Sequence, residues 1–219
     1  MQMKKAFTLL ELSIVVGVIS ILLSMALISR EFIANARIKK IIYEINDLET
    51  GIKSFYDIYN GLPGDLKNAT SFFDSAINGD GDAKVEYSSE SYNAMVHLSA
   101  ADLILGGYAA TESDYAFRSS AKLGSVMRLI YTAELEGFLV QNVNVIQLGE
   151  ANNGNNAIFA PADAERLDSK LDDSRPNTGR VTYRVFGTTT ALLCTNNTDD
   201  YYVASQTKGC NLVLQLDLQ

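Results

Sequence analysis

The chain has 219 residues, enough for one domain of ordinary size plus an anchor. Its 26 acidic against 18 basic side chains give a formal charge of −8, and no basic cluster follows the opening stretch. That excludes the electrostatic footprint of a nucleic-acid-binding surface and disfavours adhesion of the body to anionic lipid.

The first element is Lys4 to Ser29, KKAFTLLELSIVVGVISILLSMALIS. From Ala6 to Ser29 the only charge is Glu11, and no Pro interrupts. As a helix rising about 1.5 Å per residue, such a run is long enough to cross about 30 Å of hydrocarbon. Lys4 and Lys5 then stay on the cytoplasmic side. Glu11 is the anomaly, because an ionisable group inside a span ordinarily has a partner or a job. A cleaved secretory signal would place a small-residue site after the apolar run, but here the run continues into Arg30 and Glu31 without a turn signal. A plain signal anchor fits the length and leaves Glu11 unexplained.

The order Lys4-Lys5-Ala6, then Phe7-Thr8-Leu9-Leu10-Glu11-Leu12, resembles the class III signal of type IV pilins and pseudopilins. The resemblance implies that a prepilin peptidase cuts between Ala6 and Phe7 and methylates the new α-amine of Phe7. It also implies that Glu11 pairs with the N-terminal amine of a subunit or its neighbour during filament assembly. Loss of Lys4 and Lys5 takes the formal charge from −8 to −10. Two features depart from the family pattern. Ala6 stands where the family usually has Gly before the cut. No Pro occurs before Pro63, whereas many major pilins carry one in this helix. Nothing therefore forces a break in it, and pseudopilins and minor pilins fit as well.

After the span the apolar pattern changes. Ile33, Ile38, Ile41, Ile42, Ile45, Leu48, Ile52, Phe55, Tyr56 and Tyr59 recur at three and four, one stripe of an amphipathic helix. Arg37, Lys39, Lys40, Glu44, Asp47, Glu49 and Lys53 fill the other positions. The spacing predicts one continuous helix from Thr8 to Tyr59, on the order of 75 Å long. It divides the chain into a leader (1–6), an apolar helix (7–29), its amphipathic continuation (30–60) and a globular head (61–219). Asn60-Gly61-Leu62-Pro63-Gly64-Asp65 ends the helix, with Gly61 as left-handed C-cap and Pro63 unable to continue it. The YNGLPGD segment is similar to a turn after the spine helix of many pilin-like proteins.

Leu66 to Asn78 is read as opening with a short helix. In Asn78-Gly79-Asp80-Gly81-Asp82, alternating oxygens invite a calcium comparison, with Asn78, Asp80 and Asp82 as candidate ligands. The match to an EF-hand loop fails at Ala83, where Gly is needed, and at Ser89, where Glu is needed, with Glu90 one place late. The competing reading is a flexible Gly/Asp turn. Ser91 to Leu105 predicts a helix ended by Gly106-Gly107. It contains His97, the only histidine, with no nucleophile elbow or HExxH beside it. His97 is read as structural. The stretch AMVHLSAADLILGGY from Ala94 also resembles a recurring segment of long-headed pilin-like proteins.

Leu123 to Leu135 has no clear period. Phe138 to Leu148 alternates as a strand, and Ala162 to Leu171 as a helix with Ala164, Leu167 and Leu171 inward and Asp163, Glu165, Arg166 and Asp168 outward. Asp168, Asp172 and Asp173 are acid/base candidates without a positioned partner, and so are read as a solvated helix end. Strands are predicted at Val181–Phe186, Tyr201–Ala204 and Asn211–Leu218. Cys194 and Cys210 form an even pair, and in an oxidising compartment a disulfide closing that loop contributes about 3 kcal/mol. A C-terminal disulfide-bounded loop resembles the D-region of type IV pilins.

The fold expected is α+β, a long spine helix laid on a head with an antiparallel sheet. The resemblance implies a filament subunit rather than an enzyme, held in the inner membrane with its head in the periplasm before assembly into a pilus or a type II secretion pseudopilus. It implies three partners: prepilin peptidase, other pilin-like subunits and an inner-membrane assembly platform. No cofactor is required, calcium excepted. The alternative is a single-span anchored periplasmic domain that binds or catalyses and never polymerises.

Overall fold

A computed structural model describes residues 8–74, 76–87, 90–106, 108, 117–118, 125–134, 137, 139–150, 156–183, 193–196 and 200–217. The fold is α+β. Helix α1 runs Leu9–Tyr59, α2 Glu90–Ala100 and α3 Pro161–Leu171; strands are β1 Phe117–Arg118, β2 Ser125–Tyr131, β3 Asn144–Glu150, β4 Val181–Tyr183 and β5 Leu212–Gln215. The chain divides into two compact units, Met1–Arg37 and Ile38–Gln219.

In the first unit the described side chains of α1 bury almost nothing. Every large apolar side chain from Leu9 to Met25 is at least 47% exposed. The serines in this stretch return their hydroxyls to the helix: Ser13 to the Leu10 carbonyl at 2.8 Å, Ser20 to Val16 at 2.8 Å, Ser24 to Ser20 at 2.9 Å. Such back-bonding leaves no hydroxyl seeking an outside partner and keeps the surface apolar. The described apolar stretch, 9–25, is about 25 Å of helix, and among the described residues no helix is long and apolar enough to cross a membrane.

In the second unit the same helix has a buried stripe. Ile38, Ile41, Ile45, Leu48, Ile52 and Phe55, spaced three and four apart, are each 5% exposed or less. Ile42 and Tyr59 pack on them partly buried. The stripe is narrower than the sequence predicts, for Tyr56 is 37% exposed and Ile33, back in the first unit, 50%. Glu44 and Glu49, expected outward, are buried. Glu49 is held by the Arg180 guanidinium and, at 3.8 Å, by Lys53, so a carboxylate can sit at the stripe's margin.

The sheet is antiparallel throughout, in the order β1-β2-β3-β5-β4. Register aligns Leu129 with Ile146 and Leu214, and Met127 with Leu148 and Leu212, with Val181 and Tyr183 on β4 completing the rows. These side chains share one core with the α1 stripe, Met95 and Leu98 of α2, and Ala164 and Leu167 of α3. The other face carries Ile130, Val145 and Val213 under Tyr87, Val140 and Val143. Burial on both faces removes the alternation from β2, which explains why Leu123 to Leu135 has no readable period.

Several predicted bounds shift. After Tyr59 it is Asn60, at φ 53°, that takes the left-handed cap rather than Gly61; asparagine tolerates this region. The helix expected from Leu66 is only a 3-10 turn at Ala69–Ser71. Helix α2 ends at Ala100, before the glycines, because Asp102 turns left-handed at φ 56° and the Leu103 amide bonds back to the Leu98 carbonyl at 3.0 Å. Residues 139–143 precede β3 without joining it, and Phe138 lies outside the described residues. Tyr201 makes one isolated bridge to Thr195 rather than opening a strand. Residues 184–186 and Leu218, the ends of two predicted strands, are outside the described residues.

Candidate functional site

At the head of α1, Ala6 and Phe7 lie outside the described residues, and Glu11 lies within them. The Thr8 amide and hydroxyl both donate to Glu11 Oε2 at 2.9 Å, and the Glu11 amide donates to Thr8 Oγ1 at 3.2 Å. This reciprocal pair is a capping box, satisfying helix-end amides that have no partner within the helix. Glu11 therefore has an intrachain role that the sequence reading missed, although the T-x-x-E spacing signals it.

In the head, the turn after α1 and the acidic loop are sewn together by three side chains. His97, fully buried, accepts from the Gly64 amide at Nδ1 (2.9 Å). Its Nε2 lies 2.9 Å from the Ile77 carbonyl, so Nε2 carries the proton and donates. Burial lowers its pKa, opposed by the Ile77 carbonyl. Phe55 stacks on the ring at 6.0 Å, and Phe73 lies tilted against it at 6.3 Å. Gly64 must be glycine, with φ +95° and any Cβ only 2.3 Å from the Glu90 carbonyl. The structural reading of His97 agrees with these contacts.

Asp65, 2% exposed, accepts from the amides of Gly81 (2.6 Å), Asp82 (3.1 Å) and Ala83 (2.8 Å). Burial raises its pKa, the three amides oppose the rise, and Asp82 adds to it. Glu90, 4% exposed at the start of α2, accepts from the amides of Asp80 (3.0 Å) and Glu86 (3.3 Å). Its pKa is pushed up to about 8, first by burial, then by its side-chain contact with Glu86. Asp65, Asp80 and Asp82 each bring an oxygen within 4.8 Å of the others, as do Asp80, Glu86 and Glu90. Asn78 Oδ1 accepts the Thr70 amide at 2.9 Å. Of the calcium candidates, Asp80 and Asp82 bring carboxylate oxygens together. Asp65, Glu86 and Glu90 join them. Lys84 already pairs with Asp82, and backbone amides fill Asp65 and Glu90. The carboxylates of Asp65 and Glu90 thus gather the loop's amides.

A third group closes α3, whose Pro161 sits at the first turn, where its missing N–H costs nothing. Asp168 is fully buried, contrary to its expected outward position. It falls on the inner face with Ala164, Leu167 and Leu171. Its Oδ2 accepts the Tyr201 hydroxyl at 2.9 Å, tying α3 to the loop between the cysteines. One oxygen each of Asp168, Asp172 and Asp173 lie within 4.8 Å. Burial pushes the Asp168 pKa up to about 7, with Asp173 and Asp172 adding and the Tyr201 hydroxyl and Ser174 amide opposing. Cys194 and Cys210 form the predicted disulfide, Cα atoms 4.9 Å apart and both fully buried.

No family model matches the chain, and no curated protein or solved structure was found to match it.

Proposed function

We propose that the chain is the structural subunit of a type IV pilus or a type II secretion pseudopilus filament. It is made as a precursor, cut between Ala6 and Phe7 by prepilin peptidase, and methylated on Phe7. The observation that carries the reading is the first part of α1: a helix whose large apolar side chains from Leu9 to Met25 are all exposed, with Glu11 the lone charge. Burying one such side chain is worth roughly 1.5–3 kcal/mol, so the surface calls for lipid and then for other copies. In this reading the apolar run to Ser29 crosses the inner membrane before assembly, with the head in the periplasm. Subunits leave the bilayer through an assembly platform and exchange lipid contacts for helix packing. The disulfide suits an oxidising compartment beyond the membrane. The head serves assembly rather than chemistry.

The Thr8–Glu11 capping box favours a second reading, a single-span anchored periplasmic domain that never polymerises, since it gives Glu11 work in a lone helix. Glu11→Gln separates the two. Glutamine preserves a capping box and removes the charge that would meet a neighbour's amine. In the filament reading the variant is cut to begin at N-methyl Phe7 and enters sheared filaments at a level reduced on the order of tenfold. Normal incorporation removes the assembly role of Glu11. An intact leader found by mass spectrometry on the native protein leaves the anchor reading standing.

A further inference from the structure

We infer that the cavity beside the turn after α1 binds one ring of a neutral saccharide, an assignment that goes beyond the filament reading and does not rest on it. The cavity has a volume of about 450 Å³, within the range of about 300–1,000 Å³ of small-molecule sites. Tyr56, Tyr59, Asn60, Lys67 and Asn68 line it, over the nearly buried side chains of Leu62 and Leu66. The primary observation is the set of hydrogen-bonding groups that the fold leaves over there. The phenols of Tyr56 and Tyr59, the amides of Asn60 and Asn68 and the Lys67 ammonium make no side-chain hydrogen bond or ion pair among the described residues. Asparagines at turns and helix starts ordinarily bond their own backbone. Asn60 stands in the left-handed region at φ 53°, and Asn68 precedes the 3-10 turn without capping it. Both amides are thus free at one cavity.

The second observation is that the wall is already in place. The Tyr59 ring meets Phe55 at 4.6 Å and stands edge-on to Phe72 and Phe73 at 5.1 and 5.2 Å. Asp65, also at the cavity, has both oxygens taken by the amides of Gly81, Asp82 and Ala83. A wall fixed beforehand loses little entropy when a ligand arrives. The chemistry of the free groups names the ligand. Phenols and carboxamides each donate and accept, as do the vicinal hydroxyls of a pyranose. The C–H faces of such a ring are apolar and suit aromatic and leucine side chains. Charge selects among ligands of this kind. Lys67 is the one cation lining the cavity, against Asp65 in the wall and Asp80 and Asp82 beside Gly81. An anionic sugar or a nucleic-acid phosphate would face those carboxylates, and a neutral sugar would not.

The test uses the full chain in phosphocholine-detergent micelles, so that no glycoside detergent competes. The probes are chitotriose, cellotriose and maltotriose, with trigalacturonate as the anionic comparison, each titrated by calorimetry and by saturation-transfer NMR. At least one neutral trisaccharide should bind with a dissociation constant on the order of 1 mM. Asn68→Ala, which breaks no bond within the chain, should weaken that binding about fivefold and leave the melting temperature unchanged. Tyr56→Ala should weaken it about tenfold. Tyr43→Ala removes a tyrosine that is 70% exposed on the same helix and outside the cavity, and should leave binding as it is. Native protein that takes none of the three neutral probes overturns the site. So does binding that Asn68→Ala leaves unchanged, or that Tyr43→Ala weakens as much as Tyr56→Ala. Trigalacturonate bound as tightly as the neutral probes overturns the choice of a neutral ligand.

Discussion

Helix α1 contains two apolar surfaces that the fold treats in opposite ways. From Ile38 to Phe55 the apolar side chains recur at three and four, and six of them are almost wholly buried against the sheet, α2 and α3. From Leu9 to Met25 they occur on every side of the helix, and all are exposed. A stripe can dock on one surface; an all-round apolar helix needs a surrounding medium or several neighbours. In the filament reading, the difference separates what this chain completes alone from what it leaves to lipid or to other copies.

The comparison breaks most severely at Phe55. Its ring is fully buried and meets Tyr59 at 4.6 Å, Phe73 at 6.1 Å and His97 at 6.0 Å. Phe55→Ala should cost about 4 kcal/mol, measured as the shift in denaturant midpoint of the detergent-solubilised protein at constant slope. A cost below about 1 kcal/mol would mean that the stripe does not anchor the head.

How much of this was legible follows from the same contrast. The stripe announced itself because one-sided burial leaves a period in the sequence. β2 left none: Val126, Met127, Arg128, Leu129 and Ile130 are all buried, so both faces demand bulk. Arg128 reads as a surface residue, yet its Nε donates to Gln147 at 2.8 Å and its guanidinium lies 4.7 Å from the centre of the Tyr87 ring. That pairing is created by the β2–β3 register, which no local pattern encodes. Gly64 sits too close to the Glu90 carbonyl for any Cβ, and that backbone approach, which brings Asp65 and Glu90 to the same loop, has no local signature. Asp168 could have been found: 164, 167, 168 and 171 form one helical face, and an acid among them invites the question of a partner. The Cys194–Cys210 bond required no such inference, since the pair had no competitor.

The next test asks whether the turn after the stripe is fixed by a neutral imidazole. His97 has a folded pKa below its ordinary 6.5. As pH falls, the unfolded chain takes up the proton first, so the stability that neutral His97 supports is present above 6.5 and is lost as pH drops below it. Protonated Nδ1 would confront the Gly64 amide donor. Glu90, held at about 8, works oppositely, losing stability as pH rises from 4.5 to 8. The informative quantity is therefore the difference between native protein and His97→Gln. That difference should be about 2 kcal/mol at pH 7.5, from lost hydrogen bonds and ring packing, and should shrink toward pH 5. A difference independent of pH would show that the imidazole is not held neutral.

The smallest effect on the head is the sharpest test of the contrast. Leu22 is 59% exposed in the first unit, and Leu22→Ala removes three carbons that touch no core. Head stability should change by less than about 0.5 kcal/mol, while the yield of sheared filaments falls, because in the filament reading those carbons are the packing surface between copies. The two readouts must part company. If Leu22→Ala weakened the head by as much as a stripe substitution, the apolar surface would already have a partner within its own chain, and nothing would remain to drive assembly.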